Sequence, residues 1–173
     1  MPETFDFAGP IVWEPNPSDI ENARLTEFMR RHQIADFDEL MRRSTEDAAW
    51  FTDAVLKFLN IEFTQPYSEV VDLSKGIEWP AWCVDGRMNI VHNCLDKYIG
   101  SETEKATAVV FESEGGETRQ LSYGELYAQV CQAANALRAL GLGAGDAVGI
   151  YMPMAPEIVV ALLAIAKIGG IIL

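Results

Sequence analysis

The spacing of apolar positions divides the chain into a helical first part and a mixed second part. Ile11 to Pro17, with Pro10 beside Pro15 and Pro17, reads as an extended arm, because proline removes a backbone donor and restrains its neighbour. From Ser18 the pattern turns helical: Ser18 or Asp19 can cap, and Ile20, Ala23, Leu25, Phe28 and Met29 give an apolar stripe on a charged helix ending near His32. Asp36 caps a second short helix carrying Phe37, Leu40 and Met41. A third is expected to start at Ser44, with Asp47 completing an S-x-x-D capping box and Trp50, Phe51, Ala54, Val55, Phe58 and Leu59 at helical spacing. Ile61 to Arg87 holds Pro66, Gly76, Pro80 and Gly86 among Phe63, Tyr67, Trp79 and Trp82, which predicts an irregular strap lying over a surface, the two tryptophans packing it down. Asn89 to Ile99 returns to helical spacing through Ile90, Val91, Cys94, Leu95 and Tyr98 and should dock that strap.

Beyond residue 100 the period changes. Thr107 to Phe111 and Thr118 to Leu121, joined through Glu114-Gly115-Gly116-Glu117, predict a β-hairpin. Ser122 and Glu125 form a capping box that opens a helix with Leu126, Val130, Ala133, Ala134, Leu137 and Leu140 on one side, and Gly141 ends it. Asp146 to Met152 reads as a strand, Pro156 sits where a first helical turn accepts proline, and Glu157 to Ile168 is a helix apolar on nearly every side. Gly169-Gly170 breaks it before a strand at Ile171-Ile172-Leu173. Strand, helix and strand with tight joints is a βαβ unit, so the fold class is α/β: a helical N-terminal extension, one β-hairpin and the start of a parallel sheet covered on both faces. The chain stops inside the second parallel strand, whose N–H and C=O groups need neighbours, so it is expected to be a piece of a longer protein.

Composition narrows the chemistry. The 173 residues are 49% hydrophobic, enough for a sizeable core. A net charge of -13 repels phosphate and excludes a nucleic-acid partner. With 17 acidic and 7 basic residues up to Gly86, against 9 and 6 beyond it, the acidity belongs mainly to the first part, where it makes a solubilising surface. Cys83, Cys94 and Cys131 are odd in number and lack a CxxC pair, and Met1 to Asp6 lacks the parts of a signal peptide, which points to a reducing cytoplasm. The longest apolar stretch, Ile158 to Ala166, is too short to span a membrane and is followed by Lys167.

Chemical motifs are sparse. Gly141-Leu142-Gly143-Ala144-Gly145 follows a helix and precedes a strand, the reverse of a dinucleotide-binding turn, and reads as a helix-terminating loop. Neither a phosphate-binding P-loop nor a serine nucleophile elbow occurs. His92 and Cys94 diverge on a predicted helix and His32 is the other histidine, so no metal site is expected. Glu46-Asp47 and Glu112 with Glu114 fall at a helix start and around a turn, where carboxylates are solvated or favour the helix dipole.

Several stretches in fixed order resemble the acetyl-CoA synthetase branch of the AMP-forming adenylating enzymes. Trp79 followed by Asp85-Gly86-Arg87-Met88-Asn89 and Asn93-Cys94-Leu95-Asp96 is similar to the family's "LN...NCLD" segment, and Leu121 to Leu126 to its "(I/L)TY.EL" entry. Ala134 to Leu137, Gly141 to Asp146, and Ile150 to Met154 with Pro156-Glu157 resemble "GV.KGD.V.IYMPM.PE", and Ala164 to Gly170 resembles "ACARIGA". The resemblance implies residues 1–100 as a helical extension with its strap and 101–173 as the beginning of the adenylating domain. It implies a parent enzyme that activates a short-chain carboxylic acid with Mg-ATP to an acyl-adenylate and passes the acyl group to coenzyme A. The phosphate loop, ribose-binding acid, magnesium-holding glutamate and mobile lysine of that chemistry would lie outside Met1 to Leu173. No catalytic or metal residue is therefore expected here, and the chain alone should be inactive and hold no ATP, Mg or coenzyme A. Gly169 and Gly170 would touch the edge of the coenzyme A pocket, and the main partner would be the remainder of the parent synthetase chain. Lys167 replaces the family's usual arginine and Gly169 to Leu173 departs from "GAVHS", which leaves acetate, a longer or branched acid, and acetoacetate open. The alternative is a non-enzymatic interaction module using the acidic helices or the tryptophan strap.

Overall fold

A computed structural model describes residues 12–173; Ile11 of the expected arm, Pro10 beside it, and Met1 to Asp6 lie outside them. The described chain forms two compact units, the first closing at Asn60 and the second running Ile61–Leu173.

In the first unit the polar residues set the helix starts. Asn16 accepts from the backbone N–H groups of Ser18 and Asp19 at 2.9 and 3.0 Å, and Asp19 reaches back to the Asn16 N–H, opening α1 (Pro17–Asn22). The cap is thus Asn16, not Ser18 or Asp19. The expected single helix to His32 is broken at Ala23, whose extended backbone (ψ 137°) separates α1 from α2 (Arg24–Arg31). α1 buries no side chain, so no packing holds the two in one rod. Asp36 caps α3 (Phe37–Glu46), accepting from Glu39 N–H at 2.8 Å. Ser44 lies inside α3 rather than starting the next helix, because its hydroxyl donates back to Met41 C=O at 3.0 Å. Asp47 is the cap of α4 (Ala48–Phe58), accepting from Trp50 N–H at 2.8 Å. Phe28, Ile34, Leu40 and Ala54 form the buried centre, with Met29, Trp50, Phe51, Val55 and Phe58 around it. Phe28 meets Phe51 and Phe58 edge-on at 5.9 and 5.3 Å. Ile20, Leu25, Phe37, Met41 and Leu59 of the expected stripes stay exposed.

The second unit begins with the strap, which is more regular than its prolines and glycines suggest. β1 (Glu69–Asp72) pairs antiparallel with β2 (Ala81–Val84), Val71 facing Trp82. Trp79 and Trp82 do not pack it down: they are 74% and 47% exposed. Then α5 (Ile90–Cys94) is a single capped turn, broken at Leu95 and continued by a 3-10 turn at Asp96–Tyr98, where one longer helix was expected. Val91 and Leu95 are fully buried against Leu126, Val130, Ala134, Val160, Ala164 and Ile168.

The hairpin is as predicted: β3 (Thr107–Glu112) pairs antiparallel with β4 (Thr118–Ser122). Ser122 and Glu125 form the reciprocal box that opens α6 (Tyr123–Ala139), and Gly141 leaves the helix with φ +87°, a conformation that a Cβ would strain. β5 (Ala147–Val148) is shorter than the expected Asp146–Met152 strand. α7 (Pro156–Lys167) follows with proline in its first turn, and β6 (Ile171–Ile172) returns parallel to β5, Ala147 opposite Ile171. The class is α/β with a βαβ unit. The two-stranded parallel sheet is not covered on both faces, for Ile171 and Ile172 stay 52% and 39% exposed.

Replacing Asp47 by alanine should lower stability by about 1 kcal/mol, the usual value of a helix cap, whereas Ser44→Ala should change it by less than about 0.5 kcal/mol. Urea titrations followed by circular dichroism compare the two variants directly.

Candidate functional site

Chemistry-bearing residues gather at the C-terminal end of α7. Helix geometry leaves the last carbonyls of α7 without intrahelical donors. Asn89 supplies one: its side-chain amide donates to Ala166 C=O at 3.0 Å and Lys167 C=O at 3.2 Å. The amide oxygen of the same side chain accepts from Val91 N–H at 2.9 Å and caps α5. Seven residues further on, Asp96 Oδ2 takes a 2.6 Å hydrogen bond from Lys167 Nζ. This pair is half-buried, with side chains 17% and 26% exposed for Lys167 and Asp96, and Lys167 Nζ also stands 5.1 Å from the centre of the Tyr127 ring. Asp96 Oδ1 is buried and accepts no hydrogen bond among the described residues. Neighbouring Cys94 feels the same charges: burial pushes its thiol up, Asp96 adds to the rise and Lys167 opposes it.

Directly after this end come Gly169 and Gly170. Gly169 has φ +79°, and its C=O accepts from Gly145 N–H at 3.0 Å. A Cβ on Gly170 would meet Ile165 Cγ2 at 2.9 Å, Ile165 O at 3.2 Å and Asp146 O at 3.3 Å. The glycine pair is therefore pinched between α7 and the 143–146 loop, and it turns the chain from helix into β6. Beside it an open apolar groove of about 510 Å³ runs between α6, α7 and the backbone of 148–152, lined by Ala133, Leu137, Ile150, Tyr151 and Ile165 among others.

The break of α7 at the glycine pair was legible from the sequence; the grouping of Asn89, Asp96 and Lys167 around it was not, since the contacts span 71 to 78 residues. Asn89 and Asp96 do stand in the segments that carry the family resemblance. Elsewhere, His92 Nε2 is 2.7 Å from Glu62 Oε2, and Asn93 holds the backbone of Glu62 through both N–H and C=O. Those partners give His92 and Asn93 structural work. Among the described residues no three His, Cys, Asp or Glu side chains gather as metal ligands would, and no helix is long and apolar enough to cross a membrane.

Two family descriptions match successive parts of the chain: "Acetyl-coenzyme A synthetase N-terminus" over residues 37–94 and "AMP-binding enzyme" over residues 98–173. An acetyl-coenzyme A synthetase of Thiobacillus denitrificans is 41% identical over 135 residues, covering 78% of this chain and 20% of that protein. One of Laribacter hongkongensis is 38% identical over 135 residues, with the same coverage of 78% and 20%. Among solved structures, an acetoacetyl-CoA synthetase from Streptomyces lividans matches with a TM-score of 0.81 and 30% identity, over 93% of this chain and 26% of that one. The chain spans about a fifth of the length of the curated relatives it matches.

Gly170→Ala should cost about 1–3 kcal/mol, because the new methyl overlaps Ile165 in a packed joint. Gly143→Ala, whose Cβ meets nothing within 4 Å, should stay within about 0.5 kcal/mol. Thermal and urea midpoints of the two variants test the contrast.

Proposed function

We propose, because the chain belongs to the AMP-forming acyl-CoA synthetases in their acetyl-CoA synthetase-like branch, that it supplies the opening part of an acid–thiol ligase acting on a short-chain carboxylic acid. In that reaction the carboxylate attacks the α-phosphorus of Mg-ATP, releasing pyrophosphate and leaving an acyl-adenylate. The thiol of coenzyme A then displaces AMP to give the thioester. The observation that carries the reading is the succession of the two family segments along one chain that also shares the synthetase fold.

Residues 1–100 act as the helical extension and strap, and the adenylating domain begins near residue 101. Within it the turn at Gly169, which is exposed, and Gly170 forms the edge of the coenzyme A pocket. The triphosphate, ribose and magnesium are held by the remainder of the parent chain. Residues 1–173 therefore contribute no catalytic group and do not turn over alone. Three free cysteines suit a reducing cytoplasm. Lys167 in place of arginine and the run Ile171-Ile172-Leu173 leave acetate, a longer or branched short-chain acid, and acetoacetate open.

One observation supports a second reading, an interaction module without catalysis: Leu73, Ile77, Trp79 and Trp82 stand exposed along the β1–β2 hairpin. Exchange of labelled pyrophosphate into ATP separates the two. The parent chain should catalyse it in the presence of Mg and one of acetate, propionate, isobutyrate or acetoacetate, and residues 1–173 alone should not. Exchange by residues 1–173 alone would move the catalytic groups into this chain. Silence of the parent with all four acids would favour the module, whose mark is a complex lost on Trp79→Ala in light scattering.

A further inference from the structure

The Asn89–Asp96–Lys167 grouping has no part in the chemistry just described, yet it holds the helix end from which the glycine pair departs. Three observations converge there. The Asn89 amide satisfies two terminal carbonyls of α7 while its oxygen caps α5, so one side chain ties the start of one helix to the end of another. Asp96 and Lys167 close a second joint at 2.6 Å, and with Asp96 Oδ1 accepting nothing among the described residues, Lys167 alone answers that carboxylate. The chain leaving this doubly held turn passes at once through Gly169 at φ +79° and into Gly170, where there is no room for a Cβ. Glycine is the least self-restrained residue, so the path of residues 169 and 170 follows their bonds to Ile165 and Ala166 of the clamped helix end and to Gly145.

We infer that Asn89, Asp96 and Lys167 form a clamp that positions the Gly169–Gly170 turn for the acyl-accepting thiol cofactor. They are positioning residues for coenzyme A, acting through the end of α7 and touching no reacting atom. The inference rests on the reading of Gly169 and Gly170 as the edge of the coenzyme A pocket. It also gives Lys167, the departure from the family's arginine, a definite duty. A cation long enough to reach Asp96 is required there, and arginine, as long and permanently charged, can supply it with a planar fork in place of the ammonium.

Binding of a fluorescent etheno-coenzyme A to the full parent chain, followed by anisotropy, tests this without knowledge of the acid substrate, and ATP binding is measured alongside. Asp96→Asn and Lys167→Met should each weaken etheno-coenzyme A binding about tenfold with ATP binding unchanged, since misaiming a loop by a fraction of an ångström is costly. Lys167→Arg should bind as the natural chain does, and Asn89→Ala should behave like Asp96→Asn. Should Asp96→Asn fail to fold, Lys167→Met carries the same comparison, because it removes the joint from a side chain on the opposite partner. If both variants bind etheno-coenzyme A normally, or lose it and ATP together, the clamp is merely structural and the inference falls. Gly170→Ala separates the two levels. Normal binding by this variant overturns the glycine-pair reading and the clamp with it, whereas weakened binding beside normal Asp96→Asn and Lys167→Met overturns the clamp alone.

Discussion

A helix that ends inside a protein must find donors for its last carbonyls or lose about 1–3 kcal/mol for each one left bare. In the second unit that requirement falls on α7, the helix that packs with Val91 and Leu95 through Val160, Ala164 and Ile168. The backbone N–H groups of Ile168, Gly169 and Gly170 answer Ala164, Ala166 and Ile165, and the amide of Asn89 adds a second donor to Ala166 and answers Lys167. The rest of the unit follows from this contact. With the end of α7 fixed, Val91 and Leu95 can be fully buried although they belong to a single helical turn and the residue that breaks it. Asn93, inside the same turn, can then hold the backbone at Glu62, where the strap begins. An alanine at residue 89 would leave the Lys167 carbonyl and the Val91 N–H to find other partners, while Ala166 C=O would keep its bond from Gly169 N–H.

What could be read from the sequence was what is settled within a few residues. The Asp36 cap and the Ser122–Glu125 box each close over three residues, so composition and spacing suffice to find them. Pro156, Gly141 and Gly169 act through their own backbone, and the βαβ unit they delimit was legible for the same reason. Errors arose where neighbours compete. Ser44 could cap a helix or bond back to Met41, and the continuing turn of α3 decided for the second. The break at Ala23 has no marker in its own residue type.

The β1–β2 hairpin was missed because its pairing joins Glu69 to Val84 across a proline- and glycine-bearing loop, a long-range choice that local signals do not encode. The two tryptophans misled for a related reason. Large aromatic rings usually mark a core, but here they flank a hairpin whose own unit leaves them facing outward. The end of α7 shows both behaviours in one place: the glycine pair marks the helix break by its residue type, and the carboxylate and ammonium that meet beside it, 71 residues apart, carry no such mark.

The span of that clasp also governs the order in which the polypeptide can mature during biosynthesis. Asn89 and Asp96 leave the ribosome more than seventy residues before Ala166 and Lys167 exist to receive them. Through that interval, several seconds at common elongation rates, the strap and α5 have no completed seat. The hairpin β3–β4 and helix α6, being local, can form as they emerge. The apolar residues of α5 therefore gain the α6 side of their seat first, at Leu126, Val130 and Ala134, and the α7 side only once Val160, Ala164 and Ile168 have been made.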